Sequence, residues 1–122
     1  MSKILLVEDN EMNRDMLSRR LERKGFEVII AVDGQQGVDM AGSESPALIL
    51  MDLSLPVIDG WEATRRIKAA PATQSIPVVM ITTKSQETDR IWGLRQGASQ
   101  YLVKPVDAGE LAAAVEAAIA NE

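Results

Sequence analysis

"LILMDLSLPVIDG", residues 48–60, decides the fold. Leu48 to Met51, with Ala47 before them, run without a polar interruption into one carboxylate, Asp52, and Pro56 and an Asp59-Gly60 pair follow. A short unbroken apolar run bounded by turn formers reads as a strand buried on both faces, because a half-exposed strand would alternate. Such strands belong to parallel sheets with helices on both sides, and those sheets bind ligands at the carboxyl ends of their strands. Asp52 stands at that end.

The flanking sequence repeats the pattern. Ile4 to Val7 is a first apolar run, followed by Met12, Met16, Leu17 and Leu21 at helical spacing and by Gly25 in a C-cap position. Phe26 to Val32 reads as a second strand, Gly34 to Ala41 as a short helix with Gly42 after it, and Trp61 to Ala70 as a helix stopped before Pro71. The segment 69–75 between them and the next strand reads as a surface loop. Pro77 opens a fourth strand, Val78 to Ile81. Ser85 can cap a helix that ends at Gly97, Tyr101 to Val103 is a fifth strand, and Asp107 with Glu110 resembles a capping box for a last helix carrying Leu111, Val115, Ala118 and Ile119. Five strand–helix units predict a doubly wound α/β domain: one five-stranded parallel sheet covered on both faces. A single domain over residues 1–122 is expected, since 122 residues suit one hydrophobic core.

Composition removes whole classes of chemistry. The chain has no cysteine and no histidine, which excludes disulfides, thiolate nucleophiles, zinc–thiolate and imidazole metal sites, and Ser-His triads. No apolar run approaches the ~20 residues of a membrane span, and the start, MSKILLVEDN, lacks a signal-peptide pattern, so a cytoplasmic protein is expected. The net charge of −5 and the lack of a long basic run disfavour nucleic acid as a partner. The Arg19, Arg20, Arg23, Lys24 cluster reads as a solvated helix face.

What remains is concentrated at the strand ends. Glu8 and Asp9 follow the first strand, Asp52 ends the third, Thr82 and Thr83 follow the fourth, and Lys104-Pro105 follow the fifth. Alone, each has an ordinary reading as a cap, a turn former, a β-branched strand residue or a surface lysine. Jointly they deliver three carboxylates, hydroxyls and an ammonium to one edge of the sheet. Clustered carboxylates repel, and a hard divalent cation relieves the repulsion. Mg²⁺ takes oxygen ligands and keeps several waters, so two or three carboxylates suffice. A carboxylate beside it can act as a nucleophile toward a phosphoryl group, with a lysine and a hydroxyl neutralising the transferring oxygens.

Glu8-Asp9, Asp52, Pro56 with Asp59-Gly60, Thr82 and "YLVKP" (101–105), in this order and over about residues 2–120, resemble the receiver domain of a two-component response regulator. The resemblance implies a flavodoxin-like sheet of strand order 2-1-3-4-5. It implies that Asp52 accepts a phosphoryl group from the phosphohistidine of a histidine kinase or histidine phosphotransfer protein. Asp9, Asp52 and the Ser54 carbonyl would ligate Mg²⁺, with Glu8 reaching it through water. Lys104 would pair with the phosphoryl oxygens, and the Lys104–Pro105 peptide would be cis. Thr82 would swing to the phosphoryl group and Tyr101 would turn inward behind it, reshaping the surface of the fourth helix, fifth strand and last helix. The implied role is a signalling switch rather than an enzyme, acting on a downstream protein as a monomer or weak homodimer.

Some features depart from that family or leave its variants open. Thr83 stands where the family usually has a small residue, and Ser54 and Lys84 occupy places that tune dephosphorylation. The N-terminal half resembles receivers of hybrid sensor kinases and the C-terminal half stand-alone twitching- and chemotaxis-type receivers, which leaves a natural regulator and a recombined chain both open. No effector domain is expected after Glu122. Three rival readings each conflict with residues present here. A Mg²⁺-dependent aspartyl-phosphate phosphatase would place a second acid where Ser54 stands. A flavin carrier would need a Ser/Thr/Gly-rich loop where Glu8-Asp9-Asn10 stands. A degenerate receiver would have lost part of the set Asp9, Asp52, Thr82, Lys104.

Overall fold

The computed structural model describes residues 2–120. Five strands, β1 (Lys3–Val7), β2 (Glu27–Ala31), β3 (Leu48–Asp52), β4 (Val78–Thr82) and β5 (Gln100–Val103), alternate with five helices, α1 (Glu11–Arg23), α2 (Gly34–Glu44), α3 (Gly60–Ala69), α4 (Glu87–Arg95) and α5 (Ala108–Ala120). The sheet is parallel throughout, in the order β2-β1-β3-β4-β5. The doubly wound flavodoxin-like fold and the 2-1-3-4-5 order expected above are therefore those observed.

The period of two explains how unbroken apolar strands serve two faces. Ile4, Leu6, Leu48, Leu50, Val79, Ile81 and Leu102 point to the side covered by α1 and α5, through Leu17, Leu21, Leu111 and Val115. Their neighbours Leu5, Val7, Ile49, Met51 and Val78 point to the opposite side, against Ala41, Ala63 and Ile67 of α2 and α3. Met80 joins Leu53 and Ala98 in a third, smaller cluster that Trp61, Leu94 and Tyr101 cover. All five residues of β3 are buried, and each such Leu or Ile is worth ~2 kcal/mol of burial.

Local chemistry sets most helix ends. Asn10, Asp33, Asp59 and Asp107 each accept a backbone N–H three residues on, at 2.9, 2.7, 2.8 and 2.7 Å. Gly25 (φ +92°) and Gly97 (φ +107°) take the left-handed conformation after α1 and α4, where Phe26 N–H returns to the Leu21 carbonyl and Ala98 N–H to that of Gly93. Ala70, before Pro71, is extended (ψ 129°) and closes α3.

Four expectations are corrected. Helix α2 continues through Gly42 to Glu44 and stops at Ser45, which takes the left-handed conformation; an exposed Gly weakens a helix without ending it. Ser85 does not cap α4, which begins at Glu87 after Gln86 with no side-chain cap. Strand β2 is shorter than the apolar run, because Phe26 serves the turn after α1 and Val32 N–H is taken by the Gln36 side chain. Met12 and Met16, which share helical spacing with Leu17 and Leu21, are 81% and 42% exposed; α1 presses only its Leu17–Leu21 stripe on the sheet.

Val57, in the loop between β3 and α3, is 74% exposed with φ +72°. A β-branched residue is strained there, by about 1–2 kcal/mol. Nothing in its exposed side chain offsets that strain, so Val57→Asn, which tolerates this region, is expected to raise stability by about 1 kcal/mol. A urea midpoint that stays level or falls would contradict it.

Candidate functional site

Register brings the strand ends together. Val7 pairs with Met51, Asp52 with Ile81, and Thr82 with Val103, so Glu8, Asp52, Thr82 and Lys104 leave adjacent strands on the same edge. Glu8, Asp9 and Asp52 each offer a carboxylate oxygen, and these oxygens lie within 4.8 Å of one another. Glu8 is 1% exposed and Asp52 5%, while Asp9 is open to solvent. The Lys104 ammonium lies 2.7 Å from Glu8 and 3.6 Å from Asp52, and the Lys104–Pro105 peptide is cis.

Burial first, and then the neighbouring Glu8 carboxylate, push the Asp52 carboxyl up from 3.8 to about 6, against the opposing pull of Lys104. The partition of partners follows from distance: Lys104 makes its short contact with Glu8, whose second oxygen accepts the Asn10 N–H at 3.2 Å. Glu8 is thereby engaged at both oxygens, and Asp52, held farther from Lys104, is the under-compensated acid of the three. Asn10 caps α1, so Asp9 is free of that duty.

The loop behind Asp52 is built around Gly60. A Cβ there would lie 2.1 Å from the Asp52 carbonyl oxygen and 2.8 Å from Leu53 Cα, and the Gly60 N–H donates to the Leu53 carbonyl at 2.9 Å. Ser54, two residues past Asp52, is exposed in this loop. The start of α3 thus closes directly on the end of β3.

Thr82 is fully buried, and its hydroxyl accepts the Lys84 N–H at 3.1 Å while its carbonyl accepts the Lys104 N–H at 2.7 Å. Its side chain is therefore engaged along the β4–α4 loop. The Tyr101 hydroxyl donates to the Lys84 carbonyl at 2.8 Å, and the half-buried ring packs where a Cβ on Gly93 would touch it at 3.0 Å. The Lys84 ammonium lies 5.7 Å from the centre of the Trp61 ring, within cation–π range. Glu8, Asp9, Asp52 and Lys104 are thus brought into one cluster, while Thr82 and Tyr101 meet at Lys84.

Two participants are not apparent from sequence. Arg14 donates to the backbone carbonyls of Glu8 (3.2 Å) and Asp9 (2.9 Å), and Arg20, read as part of a solvated face, donates to the Val106 carbonyl at 2.8 Å. All three contacts run from a side chain to a backbone carbonyl, for which spacing carries no signal.

Three acids and no imidazole or thiolate form a hard, all-oxygen donor set that fits Mg²⁺ and not zinc. No helix among the described residues is long and apolar enough to cross a membrane.

Comparison with known proteins agrees with this geometry. Residues 4–116 match the family model for the response regulator receiver domain. The chain is 42% identical over 121 residues to Protein PilH of Pseudomonas aeruginosa, covering 99% of this chain and 100% of that protein. It is 42% identical over 106 residues to the response regulator PleD of Caulobacter vibrioides, covering 87% of this chain and 23% of PleD. Among solved structures, the receiver domain of the sensor histidine kinase PA1611 from Pseudomonas aeruginosa superposes with TM-score 0.91 at 36% identity over 98% of each chain; in that protein a magnesium ion is coordinated in the active-site cleft.

Proposed function

This chain belongs to the response regulator receiver domain family, and on that premise we propose that it is a switch thrown by phosphorylation of Asp52. The observation that carries the reading is the convergence of Glu8, Asp9 and Asp52 oxygens within 4.8 Å, with the Lys104 ammonium 3.6 Å from Asp52.

Asp52 is the nucleophile. It is the acid of the cluster that ends a fully buried strand, so its position is rigid, and it lacks the short lysine contact that occupies Glu8. One carboxylate oxygen attacks the phosphorus of a partner's phosphohistidine; the phosphorus–nitrogen bond breaks, the imidazole leaves, and an aspartyl phosphate remains. These 122 residues contain no histidine, so the donor lies outside them: a histidine kinase or histidine phosphotransfer protein, or a small acyl phosphate. Asp9, Asp52 and the Ser54 carbonyl would hold Mg²⁺, with Glu8 behind them; when bound, the ion offsets the repulsion between carboxylates and phosphoryl oxygens.

Lys104, on its flexible stem, exchanges its contact with Glu8 for one with the phosphoryl group. Thr82 releases the Lys84 N–H to donate to the same oxygens, and Tyr101, joined to Lys84 through its carbonyl, follows. Output is then by contact with a downstream protein along α4, β5 and α5, where Ile91, Trp92 and Val103 are 42%, 50% and 37% exposed.

Incubation with Mg²⁺ and acetyl phosphate is expected to add one phosphoryl group, seen in the intact mass, lost on treatment with hydroxylamine and absent when EDTA is present. A chain whose mass does not change would refute the reading.

A further inference from the structure

Among the three acids, Asp9 is the one that neither burial nor an ion pair holds. Glu8 is enclosed and tied to Lys104 and to the Asn10 N–H, and Asp52 ends a fully buried strand. Asp9 is exposed, in the short turn between β1 and α1. That turn is gripped from one side by Arg14: the same guanidinium nitrogen donates to the Glu8 carbonyl at 3.2 Å and the Asp9 carbonyl at 2.9 Å. Nothing else among the described residues donates to the Asp9 carbonyl. Arg14 sits in the first turns of α1, whose own start is fixed by the Asn10 cap, so the guanidinium is a brace between a rigid helix and the turn. It pairs with carbonyls and leaves the carboxylates to a cation.

Resting on the metal-binding reading above, we infer that Arg14 is a positioning residue of the Mg²⁺ centre. By locking the two carbonyls it keeps the Asp9 carboxylate facing Asp52 before an ion arrives, so that binding does not have to order the turn. Partners behind metal ligands commonly govern affinity in this way.

The sign of the effect separates this role from its main competitor. A cation near three acids repels Mg²⁺, so if Arg14 acted through charge alone, removing it would tighten binding. If Arg14 acts by bracing the turn, removing it weakens binding. Mg²⁺ affinity is measured by calorimetry on the full chain for wild type, Arg14→Met and Arg14→Lys, with urea unfolding in EDTA alongside.

Arg14→Met is expected to bind Mg²⁺ about tenfold more weakly, while Arg14→Lys, which keeps a donor within reach of the carbonyls, recovers most of the affinity. A merely structural arginine would lower the urea midpoint and leave the affinity of the folded protein unchanged. Unchanged or tighter Mg²⁺ binding by Arg14→Met, with wild type binding normally, overturns the role of Arg14 alone. No Mg²⁺ uptake by wild type overturns the metal centre itself, and this role with it.

Discussion

Asp52→Asn is expected to abolish the change in Trp61 and Trp92 fluorescence that Mg²⁺ and beryllofluoride should produce in the wild-type protein, and to make the metal-free protein more stable. The first result follows from position. Asp52 is the acid at the end of β3, and an amide in its place neither attacks phosphorus nor donates a negative oxygen to a cation. Trp61 is a suitable reporter because it packs against the cluster containing Leu53, the residue after Asp52. A response in the variant equal to that of wild type would remove Asp52 from its assigned role.

The second result follows from electrostatics. Burial and Glu8 raise the Asp52 carboxyl from 3.8 in the unfolded chain to about 6 in the folded protein. The folded state therefore holds a proton that the unfolded chain releases. That contribution is fully present below about pH 4 and is lost as pH rises through about 6. Above that, the ionised carboxylate costs the folded state about 2–3 kcal/mol. In EDTA near pH 7.5, Asp52→Asn is expected to gain about 2 kcal/mol in urea unfolding, with the gain vanishing near pH 4. A variant less stable than wild type near neutral pH would show that Lys104 compensates Asp52 fully.

Gly60→Ala is expected to cost the fold much of its stability. The added methyl would lie 2.1 Å from the Asp52 carbonyl oxygen and 2.8 Å from Leu53 Cα. Both neighbours are backbone, so no rotamer change relieves the clash, and α3 must move away from the end of β3. Overpacking of this kind costs about 3 kcal/mol or more, or roughly 10 °C in Tm for a domain of this size. Asp52 moves with that backbone, so on the proposed metal-binding reading Mg²⁺ affinity is expected to fall as well. Gly42→Ala is the control: its Cβ meets nothing within 4 Å and its site is an exposed position inside α2, so the substitution is expected to be neutral or to stabilise by up to about 1 kcal/mol. Equal melting temperatures for Gly60→Ala and wild type would contradict the close approach of α3 to β3.

The fold and the acidic edge are legible in the sequence, for reasons that are local. Runs such as Ile4–Val7 and Leu48–Met51 carry their own period, and Asn10, Asp59 and Gly25 act within a few residues of themselves. Where local signals compete, they mislead. Met12 and Met16 share the spacing of Leu17 and Leu21, yet a helix lying on a sheet buries only a narrow stripe, and the two methionines lie outside it. Ser85 is a good cap by type, but α4 starts later, at Glu87.

The sequence by itself determined that four of five strands would lead into Glu8-Asp9, Asp52, Thr82 and Lys104, because side-chain periodicity and turn chemistry are properties of short segments. Only the tertiary structure decided how those groups share one another. It set Lys104 at 2.7 Å from Glu8 and 3.6 Å from Asp52, turned the Thr82 hydroxyl to Lys84, and placed Arg14 on two carbonyls of the β1–α1 turn. These are contacts of ångström precision: those of Lys104 join groups far apart in the chain, and the nearer ones depend on how a loop closes. Their ranking falls steeply with distance and burial, and neither quantity exists until the strands are side by side.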